Sequence, residues 1–362
     1  MMANSRLCVS LKGLKVLTTN YALLCVVLMF LSACNPAPKH TEFLLKTGHP
    51  GSVTSVSYSA DGRFIASGGT DNTVKIWDAS TGTLLHTLTG HSGSVKSVSY
   101  SADGRFIASG SYDNTVKIWD ALTGNLIRTL AGHTDTVRSV SYSADGRFIA
   151  SGSEDKTVKI WDAATGTLLR TLAGHLRGVR SVSYRADGQV IASGSWDKTV
   201  KQWDAGNGNL IGSLDGHKSI VSSVSYSADG RFIASGSFDK TVKIRDAGNG
   251  SLLRTLAGHS GSVTSVSYSA DGRFIASGGF DKTVKIWDAG NGSLIRTLAG
   301  HSDTVTSVSY SVDGRFIASG SLDNTVKIWD AANGNLLRTL AGHSESASHS
   351  EPATDASYDS GE

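Results

Sequence analysis

The sequence predicts an all-β protein built as a seven-bladed β-propeller of four-stranded antiparallel blades. The first observation is a Gly-His pair that recurs every 42 residues, from Gly48-His49 to Gly342-His343, and so delimits seven repeat units. The second is a Trp-Asp pair that follows in the same register in six units. The third is that short β-branched segments alternate with turn signals, without helical periodicity. Four-stranded repeats of about 40–45 residues are typical of propellers.

Each unit contains four short segments with the composition of β-strands. In the first unit, residues 53–59 alternate Val, Val and Tyr with serine, and an Asp-Gly turn signal follows. Residues 64–68 and 73–77 are the second and third segments, and the third is rich in β-branched side chains. Residues 84–88 complete the set, so each unit has the strands for one blade.

The recurring Gly-His and Trp-Asp pairs resemble the WD-repeat family over residues 43–343. Members of this family hold each blade with a hydrogen-bonded tetrad of His, Ser, Asp and Trp, and the resemblance implies such a tetrad at the matching positions. The implied structural residues are, unit by unit, His49, Ser67, Asp71 and Trp77; His91, Ser109, Asp113 and Trp119; His133, Ser151, Asp155 and Trp161; His175, Ser193, Asp197 and Trp203; His217, Ser235 and Asp239; His259, Ser277, Asp281 and Trp287; His301, Ser319, Asp323 and Trp329.

The fifth unit departs from this pattern, because Arg245 stands where the other units have tryptophan. A tetrad without tryptophan lacks one partner, so we expect the fifth blade to be the least stable. A His-Ser-Asp set also suggests a catalytic triad, but it recurs in all seven units at positions expected inside each blade. Buried polar groups need partners, and these three supply partners to one another. The sequence therefore predicts structural tetrads, and no enzyme, cofactor or metal site.

The pattern offers one outer strand too many for a ring of seven blades. Residues 43–47 and 336–340 both fit the outer edge of the last blade. The N-terminal candidate is shortened, whereas the C-terminal candidate keeps the consensus and closes a local hairpin. Because a short loop costs less entropy to close, we favour the C-terminal strand, and an N-terminal clasp is the alternative.

The first 33 residues have the layout of a secretory signal peptide. Basic residues without acidic ones precede an apolar run over residues 21–31, which is shorter than the about 20 residues that a membrane-spanning helix needs. The following Leu-Ser-Ala-Cys, ending at Cys34, resembles the lipobox of bacterial lipoproteins and implies cleavage before Cys34 and its acylation. Residues 34–42 are then a tether. An ordinary signal peptide cut after Ala33 is the alternative.

Acylation of Cys34 predicts a lipid-anchored protein of the cell envelope. The next residue, Asn35, is not aspartate, which by the same resemblance implies the outer membrane if the cell is Gram-negative. All three cysteines lie at or before residue 34, which excludes disulfides and cysteine zinc sites from the repeats. Three of the 34 basic residues precede residue 34, which leaves 31 basic against 31 acidic residues. This balance argues against a nucleic-acid partner.

Residues 344–362 form an acidic tail after the last repeat. They contain five acidic residues, many serines and alanines, and no lysine or arginine. This composition predicts a disordered segment, and we expect it to be free and solvated rather than docked on the propeller.

Differences between the near-identical units indicate the candidate binding surface. In the WD-repeat family, the residue before each tetrad aspartate lies on the rim of the top face, around the channel mouth, and the fifth residue after each tetrad histidine faces the same surface. The first position holds Thr70, Tyr112, Glu154, Trp196, Phe238, Phe280 and Leu322 in order. The second position holds Thr54, Lys96, Arg138, Arg180, Ser222, Thr264 and Thr306. The resemblance thus implies a face that is basic on blades 2–4 and apolar on blades 4–7.

The fourth unit departs most from the consensus, and we expect the anchor of the partner near it. Its other off-consensus residues are Leu176, Arg177, Arg185, Gln189 and Gln202.

A ring of exposed aromatic and apolar side chains beside cations is typical of an interaction surface. The sequence therefore predicts a lipid-anchored scaffold, with a monomeric propeller, whose top face binds a protein or peptide carrying acidic and apolar residues. The residues predicted to bind it are Tyr112, Glu154, Trp196, Phe238, Phe280, Leu322, Lys96, Arg138 and Arg180. A structural component of the envelope or of outer-membrane assembly is the alternative. A propeller enzyme is a third hypothesis, which no unique nucleophile–base pair, carboxylate pair or phosphate loop supports.

Overall fold

The computed structural model describes residues 48–341, which form seven antiparallel sheets of four strands each. In chain order the strands are β1 Val53–Tyr58, β2 Phe64–Gly69, β3 Val74–Asp78, β4 Leu84–Leu88, β5 Val95–Tyr100, β6 Phe106–Ser111, β7 Val116–Asp120, β8 Leu126–Leu130, β9 Val137–Tyr142, β10 Phe148–Ser153, β11 Thr157–Asp162, β12 Leu168–Ala173, β13 Val179–Tyr184, β14 Val190–Ser195, β15 Val200–Asp204, β16 Leu210–Leu214, β17 Val221–Tyr226, β18 Phe232–Ser237, β19 Thr241–Asp246, β20 Leu252–Ala257, β21 Val263–Tyr268, β22 Phe274–Gly279, β23 Thr283–Asp288, β24 Leu294–Ala299, β25 Val305–Tyr310, β26 Phe316–Ser321, β27 Val326–Asp330 and β28 Leu336–Leu340.

Every sheet is a meander in which each strand pairs with the next along the chain. The first strand of each sheet lies against the first strand of the following sheet, and β1 lies against β25, so the seven sheets close into a ring. The predicted all-β, seven-bladed propeller is confirmed. Within residues 48–341, no helix has the length and apolar character needed to cross a membrane.

The hydrophobic core is divided into seven layers, one between each pair of neighbouring blades. In the layer between blades 1 and 2, Ile76 and Leu88 of one blade pack with Val95 and Trp119 of the next, all at most 2% exposed. The glycine at position 68 makes this approach possible, because a Cβ atom there would lie 2.6 Å from Cγ1 of Val95. The alternating strand pattern therefore buries its apolar side chains between blades.

Serine side chains join the inner strands of neighbouring blades. The Val98 amide donates a hydrogen bond to Oγ of Ser55 at 3.1 Å, and this bond recurs at every blade boundary. At the closing boundary, the Val56 amide donates to Oγ of Ser307, also at 3.1 Å. The serines that alternate with valine on the inner strands thus satisfy backbone donors between blades, a role that the alternation alone did not indicate.

The outer strand of the last blade is β28, which pairs with β27. The favoured C-terminal candidate therefore occupies the fourth place of that sheet. The other candidate, residues 43–47, lies outside the described residues, as do the predicted signal peptide, Cys34, the tether and the acidic tail.

Candidate interaction site on the top face

The tetrads lie at one end of the blades, where the loop before each inner strand meets the turn between the second and third strands. In the second blade, Nε1 of Trp119 donates to Oγ of Ser109 at 2.8 Å. Oγ of Ser109 is 2.8 Å from Nε2 of His91, whose Nδ1 is 2.7 Å from Asp113. We call this end of the propeller the top face.

The indole fixes the direction of one of these hydrogen bonds, and the histidine tautomer sets the other two. An indole N–H can only donate, so Oγ of Ser109 accepts from Trp119, and the hydroxyl proton is available for Nε2 of a neutral histidine. In that tautomer the histidine carries its one proton on Nδ1, directed at Asp113. Burial lowers the pKa of His91, against the opposing effect of that aspartate. The neutral ring is therefore the stable form in the folded protein.

The serine–histidine contact recurs in every unit at 2.7–2.8 Å, and the histidine–aspartate contact recurs with it. The tetrad serines are at most 1% exposed. A nucleophile buried to this degree cannot meet a substrate, so the geometry serves blade structure rather than catalysis. Among residues 48–341, no group of three or more His, Cys, Asp or Glu side chains is placed to hold a metal ion.

In the fifth blade, Arg245 occupies the place of the tryptophan and is 7% exposed. His217 still contacts Ser235 and Asp239, each at 2.8 Å. The guanidinium turns away from the serine and donates to the carbonyl oxygens of Gly250, at 3.0 Å, and of Asp215 in the preceding blade. The predicted break in the tetrad is therefore accompanied by a link between blades 4 and 5 that the sequence did not indicate.

The rim side chains before the tetrad aspartates are largely open to solvent. Tyr112 is 60% exposed, Phe280 49%, Leu322 41% and Trp196 37%. Phe238 is half-buried, because its ring packs against that of Phe280 with centroids 5.4 Å apart. The rim on blades 2 and 4–7 thus presents aromatic and apolar surface.

The cations of blades 2–4 lie against these rim side chains. Nζ of Lys96 is 5.6 Å from the ring centroid of Tyr112. Cζ of Arg180 is 5.6 Å from the Trp196 ring and 6.0 Å from the Phe238 ring. These are cation–π distances. The predicted basic side on blades 2–4 and apolar side on blades 4–7 therefore meet where Arg180 stacks on the Trp196 and Phe238 rings.

Glu154 is the acidic member of this group. Its Oε1 accepts a hydrogen bond from Nε of Arg138 at 2.6 Å. We name the set the rim cluster: Lys96, Tyr112, Arg138, Glu154, Arg180, Trp196, Phe238 and Phe280. It contains three cations against one carboxylate, and this excess of positive charge attracts anionic groups.

The cations are placed there at a structural cost. In the first blade the same position is Thr54, whose hydroxyl lies 2.9 Å from the carbonyl oxygen of Gly68 and 2.5 Å from that of Val95 in the next blade. Hydroxyls in blades 5, 6 and 7 make the equivalent contacts. Lys96, Arg138 and Arg180 have no hydroxyl, so blades 2–4 lack this hydrogen-bonded link to the next blade.

The rim-cluster cations also repel one another. Burial, followed by the charges of Arg138 and Arg180, lowers the pKa of Lys96. Burial and the Arg138 charge lower the pKa of Arg180 to about 10, although Glu154 opposes the change. Among residues 48–341, Arg180 has no carboxylate within salt-bridge distance. An incoming anion would relieve this repulsion.

A second set of top-face cations was missed by the sequence reasoning. The residue after each tetrad aspartate has φ between 65° and 74°. It is asparagine in units 1, 2 and 7, as this left-handed conformation favours, but lysine in units 3–6. The four, exposed in the structure, are Lys156, Lys198, Lys240 and Lys282. The sequence did contain a signal for them, because asparagine is replaced by lysine at this position in four adjacent units.

The departures of the fourth unit are spread over the blade rather than gathered on the top face. Leu176, which is 80% exposed, and the exposed Arg177 lie in the top loop with Trp196. Gln202 lies inside the blade, and Arg185 and Gln189 lie in the turn between β13 and β14 at the opposite end. Only those in the top loop lie near the candidate site, because antiparallel strands carry the two turns to opposite ends of the blade.

The family model described as "WD domain, G-beta repeat" matches seven segments, residues 42–78, 82–120, 124–162, 166–204, 208–246, 250–288 and 292–330. The chain belongs to the WD-repeat family. Propellers of this family generally mediate protein–protein interactions and are typically scaffolds without catalytic activity.

Two curated relatives resemble short parts of this WD-repeat chain. Vegetative incompatibility protein HET-E-1 of Podospora anserina is 58% identical over 36 residues, 10% of this chain and 3% of its own length. Eukaryotic translation initiation factor 3 subunit I of Phaeosphaeria nodorum is 45% identical over 40 residues, 11% of this chain and 12% of its own length. The matched stretches have the length of about one repeat, so they bear on the repeat itself.

Proposed function

We propose that this WD-repeat protein is a lipid-anchored interaction scaffold whose top face binds a protein or peptide segment that carries acidic and apolar side chains. The observation that carries the proposal is the rim cluster. Aromatic rings that are 37–60% exposed, such as those of Trp196 and Tyr112, lie beside cations. These cations occupy positions at which other units have a hydroxyl that links adjacent blades.

The arrangement fits a segment with mixed side chains. Stacking on Trp196 and Phe238 holds the Arg180 guanidinium beside apolar surface, which favours a carboxylate next to an apolar side chain in the partner. Aromatic residues and arginine are the side chains most enriched at binding hot spots. The four lysines that follow the tetrad aspartates extend the positive charge over blades 3–6.

Selection from a random peptide phage library on the immobilised full chain tests this proposal. We expect the selected peptides to combine acidic and apolar residues and to lose binding to a Trp196→Ala, Phe238→Ala double variant. Leu253→Ala on the outer wall is the matched control, since Leu253 is 40% exposed but distant from the top face. Peptides without this composition, or peptides that bind the double variant equally well, would contradict the proposal.

The lipid anchor is a separate part of the proposal, supported by the sequence that ends at Cys34. We expect the wild-type chain to fractionate with membranes when it is expressed in a Gram-negative host, and Cys34→Ser to be recovered in the soluble fraction. Cys25→Ser is the matched control, because Cys25 precedes the predicted cleavage site. Recovery of the Cys34→Ser variant with the membranes would contradict the proposed lipid anchor and would leave the proposed top-face site unaffected.

A further inference from the structure

We propose that the acidic tail of this chain, residues 344–362, docks on the top face and occupies the rim cluster in place of the external partner. This inference rests on the proposed function, because it makes the tail a competitor for the same site. It replaces the free, solvated tail that composition alone suggested.

The described chain ends on the correct face for this contact. Ala341 directly follows β28, and the equivalent residue Ala131 follows β8 and leads to the top loop that holds His133. The tail therefore departs from the same end of the propeller as the rim cluster. The 21 residues after Ala341 span about 70 Å when extended, whereas a compact domain of this size has a radius of gyration of about 19 Å. The tail is therefore long enough to reach the rim cluster.

Charge and side-chain composition match between the two partners. The tail carries five carboxylates and no lysine or arginine, and its last eight residues combine Asp355, Tyr358, Asp359 and Glu362. The top face offers Arg180 beside the Trp196 and Phe238 rings. An acidic segment with one aromatic side chain is the kind of segment that the proposed function requires. Because the tail is tethered, its effective concentration is in the millimolar range, and weak intrinsic affinity suffices.

The lysines that follow the tetrad aspartates supply an independent argument. Lys156, Lys198, Lys240 and Lys282 hold φ values of 72°, 74°, 70° and 65°. Lysine is disfavoured in this conformation relative to the asparagine used at the same position in units 1, 2 and 7. In four adjacent blades, a strained backbone position therefore carries a positively charged side chain, on the face where the tail begins.

Trp196 provides an intrinsic probe of this contact. It is 37% exposed, whereas the other six tryptophans are at most 2% exposed. Acrylamide quenching of tryptophan emission in the full chain therefore reports on the rim cluster. The part of the quenching that is lost in a Trp196→Phe variant is the part that arises from Trp196.

The test compares the wild-type chain with a tail in which all five carboxylates are replaced: Glu345→Gln, Glu351→Gln, Asp355→Asn, Asp359→Asn and Glu362→Gln. We expect Trp196 to be quenched about twofold less in the wild type at low salt, and the difference to vanish near 1 M salt, where the Debye length falls to about 3 Å. Equal quenching of the two proteins at low salt would overturn the proposal.

Variants of the propeller locate the contact. Arg180→Gln, and separately the change of the four lysines to asparagine, should abolish the protection of Trp196 in the presence of the native tail. Arg254→Gln on the outer wall should not. The asparagine variant restores the residue of units 1, 2 and 7, so we expect its thermal midpoint to be equal to or above that of the wild type. Protection that persists in both rim variants would place the tail elsewhere.

The outcomes separate this inference from the proposed function. If phage-selected peptides protect Trp196 equally in the wild-type and neutralised-tail chains, the top face binds peptides but the tail does not compete. If the tail protects Trp196 and selection yields no acidic peptide, tail docking stands and an external partner of that class does not.

Discussion

Gln202 and Arg245 change a single layer of the core. In the other layers an isoleucine and a tryptophan, such as Ile76 and Trp119, pack between neighbouring blades. Between blades 4 and 5 these places hold Gln202 and Arg245. Nε2 of Gln202 donates to the carbonyl oxygen of Ala247 at 2.9 Å and to the Tyr226 hydroxyl at 3.2 Å. This layer has exchanged apolar packing for directed hydrogen bonds, which contribute less net stability.

Arg245→Trp should therefore raise the thermal midpoint of unfolding. Tryptophan would fill the layer and donate to Oγ of Ser235, as Trp287 donates to Ser277 at 2.7 Å. Within residues 48–341, the equivalent carbonyl groups of the tryptophan-bearing units have no such partner, so losing the two Arg245 hydrogen bonds should cost less than the indole packing contributes. We expect a gain of about 1–2 kcal/mol, and a larger one when Gln202→Ile is added.

The reverse substitution, Trp287→Arg, is the control for this prediction. It introduces an arginine into a layer that lacks the compensating glutamine, and should destabilise the protein by about 3–5 kcal/mol. A lower midpoint for Arg245→Trp would instead mean that the link between Arg245 and Asp215 outweighs the packing of an indole.

Within a blade, each tetrad aspartate is the point where the top loop and the turn between the second and third strands meet. In the fifth blade, Oδ1 of Asp239 accepts hydrogen bonds from the Thr241 amide and hydroxyl, and Oδ2 contacts His217 and the Lys218 amide. Burial alone would raise the pKa of Asp239, but these hydrogen bonds lower it to about 2. The charged aspartate and neutral histidine together stabilise this end of the blade.

These shifts predict a two-step loss of stability in acid. Burial lowers the pKa of His91, His217 and His259 below the ordinary value, so the unfolded chain binds more protons as the pH falls through about 6.5. The tetrad aspartates have lowered pKa values, so their contribution is present above about pH 4 and is lost as the pH falls toward their folded values. Stability should be constant between about pH 7.5 and 9 and decline below that range in these two steps.

Urea unfolding measured at a series of pH values tests this prediction. His86 lies in an outer strand and belongs to no tetrad, so His86→Asn should leave the decline between pH 7.5 and 5.5 unchanged. A midpoint that stays constant over that interval in the wild-type chain would show that the histidines bind protons equally in the folded and unfolded states.

The sequence predicted the strands and blades, which every repeat unit encodes in the same way. It did not predict the side-chain contacts that join one unit to the next. The 42-residue period and the alternation of Val56 and Tyr58 with serine determine strands and blades, since the strand period fixes which side chains turn inward. The stacking of Arg180 on the Phe238 ring joins two units whose side-chain directions the repeat does not specify. The role of Lys156 depends on a positive φ that becomes evident only when the turn is built.

At the scale of the whole ring, one blade boundary differs from the rest because the chain does not run directly from one blade to the next across it. Blades 7 and 1 meet through Val53, whose carbonyl oxygen accepts a hydrogen bond from Oγ1 of Thr306 at 2.7 Å and whose side chain packs on Gly320. The amide of Val56 and Oγ of Ser307 add the bond found at the other boundaries. Closure therefore depends on noncovalent contacts and on the integrity of the last sheet.

Deletion of residues 336–341 should weaken closure more than any single core substitution. The deletion removes β28, exposes the edge of β27, and takes Leu340, which is 4% exposed, from the core layer shared by blades 7 and 1. Truncation of one buried leucine costs about 2–5 kcal/mol, and here the strand that carries it is lost as well. We expect a large fall in the thermal midpoint and a broadened transition, as a ring that opens at one boundary unfolds less cooperatively. Deletion of residues 41–47, the alternative closing strand, is the matched comparison and should have the smaller effect. If that deletion has the larger effect, the N-terminal segment closes the ring.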